Sequence, residues 1–179
     1  MLANRRIIIL LIFIAVFSAA YSAGSASTIS EQDSKNFIKE FQQVVEGIDA
    51  IGIFTHNVTV ALPMFVPGFG IAWGSFAAWS TGLAFRALVS TTPALAKLPP
   101  LSIIYLSPFG VMELIAYSIG MSRSYLLISA ILRRKPLMPL LKPTAIEVGI
   151  AVGLLLAGAF IEYTMIQHFG SSLVHPKAH

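Results

Sequence analysis

Between Ile51 and Val89 the chain runs for 39 residues with no acidic side chain and a single Lys or Arg, Arg86. A hydrocarbon core about 30 Å thick takes roughly 20 helical residues to cross, so this run is too long for one crossing and sufficient for two short ones. Two places could turn the chain. Pro67-Gly68 is the favoured central pair of a type II turn, and Ser80–Gly82 sits beside the interface-seeking Trp79. Pro and Gly are both tolerated inside membrane helices, so the sequence leaves the two open. The rest of the chain agrees with a membrane setting. Of its 179 residues 56% are hydrophobic and 11% charged, with a mean hydropathy of +0.79, whereas soluble domains carry about 25% charge. The absence of cysteine excludes disulfides, thiolate catalysis, iron–sulfur clusters and Cys-type zinc sites.

Three further apolar segments flank that run. Residues 1–24 begin with Arg5-Arg6 and continue apolar from Ile7 to Ala20. They fit a signal peptide, but a retained first transmembrane helix is the reading preferred here. Ser107 suits an N-cap and Pro108 the first helical position, opening a helix of about 25 residues that ends at Leu132 before Arg133-Arg134-Lys135. After Lys142-Pro143, Thr144 is expected to cap a last span reaching about His168, followed by a polar tail over 169–179.

The net charge of +4 does not mark a nucleic-acid partner, because half of the basic residues flank spans. Arg5, Arg6, Arg133, Arg134, Lys135 and Lys142 belong in the cytoplasm by the positive-inside rule. The expected fold is therefore all-α, with about five transmembrane helices in the cytoplasmic membrane, N-terminus inside and C-terminus outside. Residues 25–49 would form an external amphipathic helix, opened by a Ser30/Asp33 capping box. Its stripe of Phe37, Phe41, Val44, Val45 and Ile48 would rest on the spans of this chain or on a partner subunit. Residues 90–107, with Thr91, Thr92, Pro93, Lys97, Pro99 and Pro100, read as an external loop. Small residues spaced by four, Gly149, Gly153 and Ala157 in the last span and Gly70 and Gly74 earlier, allow close helix packing within a bundle or between subunits.

Ionisable groups in hydrocarbon are costly and each needs a partner or a role. His56 and Asn57, Glu113 and Glu162 fall at a similar depth in three spans. They read as polar glue first, then as a proton- or ion-handling site, and last as a metal site. Strong metal sites place ligands close together on a helix, which these residues do not. Arg123 lies deeper, where it could pair with an acid on another helix, bind a lipid phosphate or snorkel. Arg86 becomes a partner for Glu113 if the turn falls at Ser80–Gly82. Asn57-Val58-Thr59 matches a glycosylation sequon only inside an apolar segment, and His175 and His179 stand in the tail without companion ligands. No nucleophile elbow, phosphate loop or zinc-protease helix occurs.

The segment "IGIFTHNVTVALPMFVPGFG", followed about fifty residues later by "LSPFGVMELIAYSIGMSRSYLL", resembles the stage II sporulation protein M family of integral membrane proteins. Asn57 answers to the family's aromatic-x-x-Asn motif. Pro108, Gly110 and Glu113 answer to its Pro-His-Gly-x-x-Glu motif, with Phe109 where histidine is usual and Thr81-Gly82 where Asn-Gly is frequent. The resemblance covers residues 50–168 and implies a membrane fold and a scaffolding role. The chain is thus expected to be a non-catalytic scaffold or accessory subunit, without cofactor apart from bound lipid. Its partners would be membrane lipids and other integral membrane subunits or further copies of itself. A small transporter or ion-handling protein using Glu113, Glu162 and Arg123 is the alternative.

Overall fold

In the computed structural model, which describes residues 2–45, 48–91 and 97–170 and leaves aside the side chains of 2–3, 40–45, 91 and 169–170, every regular element is helical. Chain order is α1 (Leu2–Ser25), α2 (Glu31–Val45), α3 (Ala50–Ala61) with a 3-10 turn (Leu62–Phe65), α4 (Phe69–Thr91), α5 (Ser102–Leu106), α6 (Pro108–Leu132) and α7 (Met138–Met165), which ends in a π-helical turn (Ile166–Gly170). The tail beyond Gly170, with His175 and His179, lies outside the described residues.

Three helices are long and apolar enough to cross a membrane: Asn4–Ser25, Pro108–Leu132 and Met138–His168. The Ala50–Phe65 segment is apolar but shorter, and α4 is diluted by its glycines, hydroxyls and Arg86. Of the roughly five spans expected from the sequence, two of them short ones in the 51–89 run, three thus have the length and hydropathy of a crossing among the described residues.

The helix starts follow local chemistry. Ser30 Oγ accepts from Asp33 N at 3.1 Å and donates to the Asp33 carboxylate, so α2 opens on a side-chain N-cap, with the Asp33 carboxylate meeting the Ser30 hydroxyl in place of the backbone N–H of a full capping box. In its first turn, Lys35 bonds Glu31 at 2.7 Å and holds that exposed carboxyl below its usual pKa range. Asp49 accepts from Gly52 N at the head of α3, and Ser107 accepts from Gly110 N at the head of α6. Thr144 does not cap α7. The helix begins six residues earlier at Met138, with Pro139 in its first turn, and passes through Pro143. Thr144 Oγ1 instead donates back to Leu140 O at 2.7 Å, next to the Pro139 carbonyl that Pro143, having no N–H, leaves without its helical donor.

The turn in the long apolar run falls at Pro67-Gly68, where Gly68 has φ 78°, a conformation glycine adopts without penalty. Gly82 is mid-helix for a different reason. A Cβ on Gly82 would collide with Tyr21 O, and one on Gly24 with Trp79 O. α1 and α4 therefore cross backbone to backbone, and the other turn reading is set aside. Gly70 has no room beside Met64 O, while Gly74 faces the Met121 side chain.

Directions alternate along the chain. α6 runs antiparallel to α1, with Phe17 stacked on Tyr117 and Phe13 near Tyr125. α3 runs parallel to α6, while α4 returns beside it from Gly68, packed near Ile128, to Gly74 at Met121. One end of the bundle, the cation-rich end, thus gathers the start of α1, the α6–α7 connection and the α3–α4 turn. The core is lined by Ile9, Phe13, Phe17 and Tyr21 of α1, spaced by four, with Met64, Met121 and Leu155 fully enclosed.

Candidate functional site

Two polar clusters lie inside the bundle at different levels. The first, nearer the end opposite the cations, starts from Asn57 on the inward face of α3. Its Nδ2 donates to Glu113 Oε1 at 2.7 Å, which joins the two sequence segments that carried the family resemblance. Pro108 and Gly110 set this up. Proline starts α6 without losing a hydrogen bond, and Gly110 passes against Ile104 O, where a side chain would not fit. Gly158 of α7 packs near Phe109 and Met112 of α6, so Glu162, one turn further along α7, belongs to the same end of the bundle, and the buried Tyr117 follows Glu113 by one turn of α6. Two carboxyl groups in one low-dielectric region are the chemistry that holds a proton or a cation.

His56 is not part of this cluster. It follows the helical rotation away from Asn57 and is exposed. Among the described residues no group of three His, Cys, Asp or Glu side chains converges as a metal ion would need. Arg86 does not reach Glu113 either: with the turn at Pro67-Gly68 it lies on an exposed face of α4, towards that helix's end.

The second cluster contains a residue that sequence reasoning missed, Glu147 of α7. Arg6 of α1 grips it through Nε to Oε1 and Nη2 to Oε2, both at 2.7 Å, and donates from Nη1 to Ser122 Oγ at 2.8 Å. Arg123 of α6 grips the same carboxylate through Nε to Oε2 at 2.8 Å and Nη2 to Oε1. Each carboxylate oxygen accepts two N–H bonds, which fills its capacity. Arg123 is 4% exposed, so the expected acid on another helix exists and is Glu147. The available signal was simple: Glu147 is one of three acids in the apolar part of the chain, five residues past Lys142.

A third polar contact holds the hairpin. Trp73 Nε1 donates to Val60 O at 2.9 Å, and Ser124 Oγ donates to Val66 O at 2.6 Å. The non-helical backbone at the Pro67-Gly68 turn thus gains a donor from α6 beside the Gly70 N and Ile71 N bonds of the hairpin itself, as backbone at membrane depth requires.

No protein-family model, no curated protein and no solved structure matches the chain.

The small residues divide. Gly70 and Gly74 pack within the chain, whereas Gly149 and Gly153 meet nothing within 4 Å and Ala157 is exposed. α7 turns Ala151, Leu155, Gly158 and Ala159 inward instead. α2 packs on α4, with Ser34 buried and Phe37 half-buried. At that point the amphipathic stripe meets its own chain, because α4 is the nearest apolar surface. Ile48 lies over Gly52, and the side chains of Phe41, Val44 and Val45 are outside the described residues.

Proposed function

We propose that this chain is a multi-pass membrane scaffold or accessory subunit, without catalysis of its own, that packs against partner membrane proteins in a larger complex. The observation that carries this reading is the outward face of α7. Gly149, Gly153 and Ala157 form a smooth strip that none of the described residues covers, in a setting where small residues permit close helix approach. The ionisable pair deep in the bundle, Arg123 and Glu147, is engaged in binding its own helices together. Phe109 replaces the histidine expected in the second family motif, which fits a structural role, and membership of the stage II sporulation protein M family belongs to the same proposal. The proposed setting is the cytoplasmic membrane with the cation-rich end inside. Five crossings follow if the α3–α4 hairpin passes through, since α1, α3, α4, α6 and α7 alternate in direction. Purification in mild detergent with crosslinking and native gels tests this: partner subunits or further copies should co-migrate, and a lone monomer overturns it.

One observation favours a second reading. Glu113, bonded by Asn57, and Glu162 bring two carboxyl groups from α6 and α7 to the same end of the bundle, as a proton- or cation-handling site would need. Glu113→Gln should then abolish flux into liposomes while the helical content of the protein is unchanged. Equal flux in both proteins removes transport from consideration.

A further inference from the structure

The Arg6–Arg123–Glu147 cluster is not electrically balanced. Two guanidinium groups share one carboxylate whose oxygens are already fully used, leaving one positive charge inside the bundle. Each guanidinium has five N–H donors; Arg6 spends three and Arg123 two in the bonds above. Several donors at the site therefore have no acceptor among the described residues. Among the described side chains the surroundings add no negative charge. Arg5, Lys142 and the Arg133–Lys135 run, all exposed, lie at the same end of the bundle. The other acids with described side chains, Glu31, Asp33, Asp49, Glu113 and Glu162, stand towards the opposite end, on α2, at the head of α3, near the start of α6 and near the end of α7.

The depth of the cluster is equally specific. Arg6 enters from the first two turns of α1 and remains partly accessible, with 23% of its side chain exposed, while Arg123 is enclosed behind it. A site with an enclosed cation at its floor, a half-open one at its mouth and a cationic rim suits an anion presented at the boundary between headgroups and acyl chains. Arginine pairs bind phosphate through paired, charge-assisted hydrogen bonds. Basic pockets between spans on the cytoplasmic side are where anionic headgroups lodge.

We propose that Arg6 and Arg123, tethered by Glu147, form a binding site for the phosphate of an anionic lipid headgroup. The lipid would sit where the Arg6–Glu147 pair joins α1 to α7 and cover the cation-rich end of the bundle. Glu147 has the role of a spacer that holds two arginines in register without neutralising both.

Binding of phosphatidylglycerol and phosphatidylcholine to the detergent-purified full chain, read by native mass spectrometry, tests this, with inorganic phosphate as a third probe. One phosphatidylglycerol should bind per chain at least tenfold more tightly than phosphatidylcholine. Glu147→Gln removes the only neutralising charge and should tighten phosphatidylglycerol binding, whereas Arg123→Gln should weaken it by tenfold or more. An Arg133→Gln/Arg134→Gln protein, altered only on the exposed rim, should lose less than threefold and serves as the variant certain to leave the buried cluster intact. Equal binding of the two lipids, or loss confined to the rim variant, overturns the proposal. Binding of inorganic phosphate without lipid preference overturns the lipid assignment in favour of a soluble anion. If Arg123→Gln or Glu147→Gln fails to fold, competition decides: millimolar phosphate should displace phosphatidylglycerol from the unaltered protein, and no displacement rejects the site.

Discussion

At Glu147 four guanidinium N–H groups from two helices converge on one carboxylate. Removing one partner of a buried ion pair leaves an uncompensated charge, which typically costs about 3–5 kcal/mol. Glu147→Ala leaves both guanidinium groups without their counter-ion and should therefore lower the thermal unfolding midpoint in detergent far more than Arg86→Ala, whose side chain is exposed on α4. Equal effects would show that the Glu147 cluster is no lock. Asn57 presents a milder case. Its bond to Glu113 joins α3 to α6, and Asn57→Ala should cost about 1–3 kcal/mol, because a carboxyl group is left without its donor. Thermal unfolding followed by circular dichroism measures both changes.

At the scale of elements, two kinds of glycine separate. Gly24 and Gly82 lie where the α1 and α4 backbones touch, so a side chain there must push the helices apart. Gly82→Leu should destabilise the isolated chain by about 1–3 kcal/mol or more, as overpacking does. Gly153 faces open space, so Gly153→Leu should leave the isolated chain's stability within about 0.5 kcal/mol, as surface changes do. The same change should weaken association with whatever covers α7. Thermal stability and native-gel mobility, read side by side, check the contrast. The glycine spacing in the last span was legible in the sequence, but the side that spacing faces was not. Periodicity marks a face without saying which neighbour it meets, and α7 has two small faces, one of which, with Ala151, Leu155 and Ala159, turns inward.

For the whole molecule, the open question of crossings becomes a labelling experiment, because the chain contains no cysteine. Single cysteines at Ser27 and Lys97 should react with an impermeant maleimide from outside intact cells. Arg134→Cys should react only after permeabilisation. Pro67→Cys at the hairpin turn should behave like Arg134→Cys if α3 and α4 cross the membrane; labelling from outside would mean a hairpin dipping in from the far side. The turn packs near Ile128, four residues from the end of α6, or about 6 Å at 1.5 Å per residue. That depth supports crossing.

From the sequence alone came the membrane-compatible apolar helices, the ends of α6, the Ser30 cap of α2 and the level shared by Asn57 and Glu113. Each depends on local propensity, on hydropathy or on counting residues along a helix axis, which neighbours in the chain determine. The tertiary structure decided the azimuth of every face: that His56 turns away from Asn57, that Arg86 leaves Glu113, and that Gly82 is a crossing point instead of a turn. It also decided which acid neutralises Arg123. Glu147 is 24 residues away along the chain from Arg123 and 141 from Arg6. Only the rotation and pairing of three packed helices bring those side chains within hydrogen-bond distance, and no local pattern encodes that rotation.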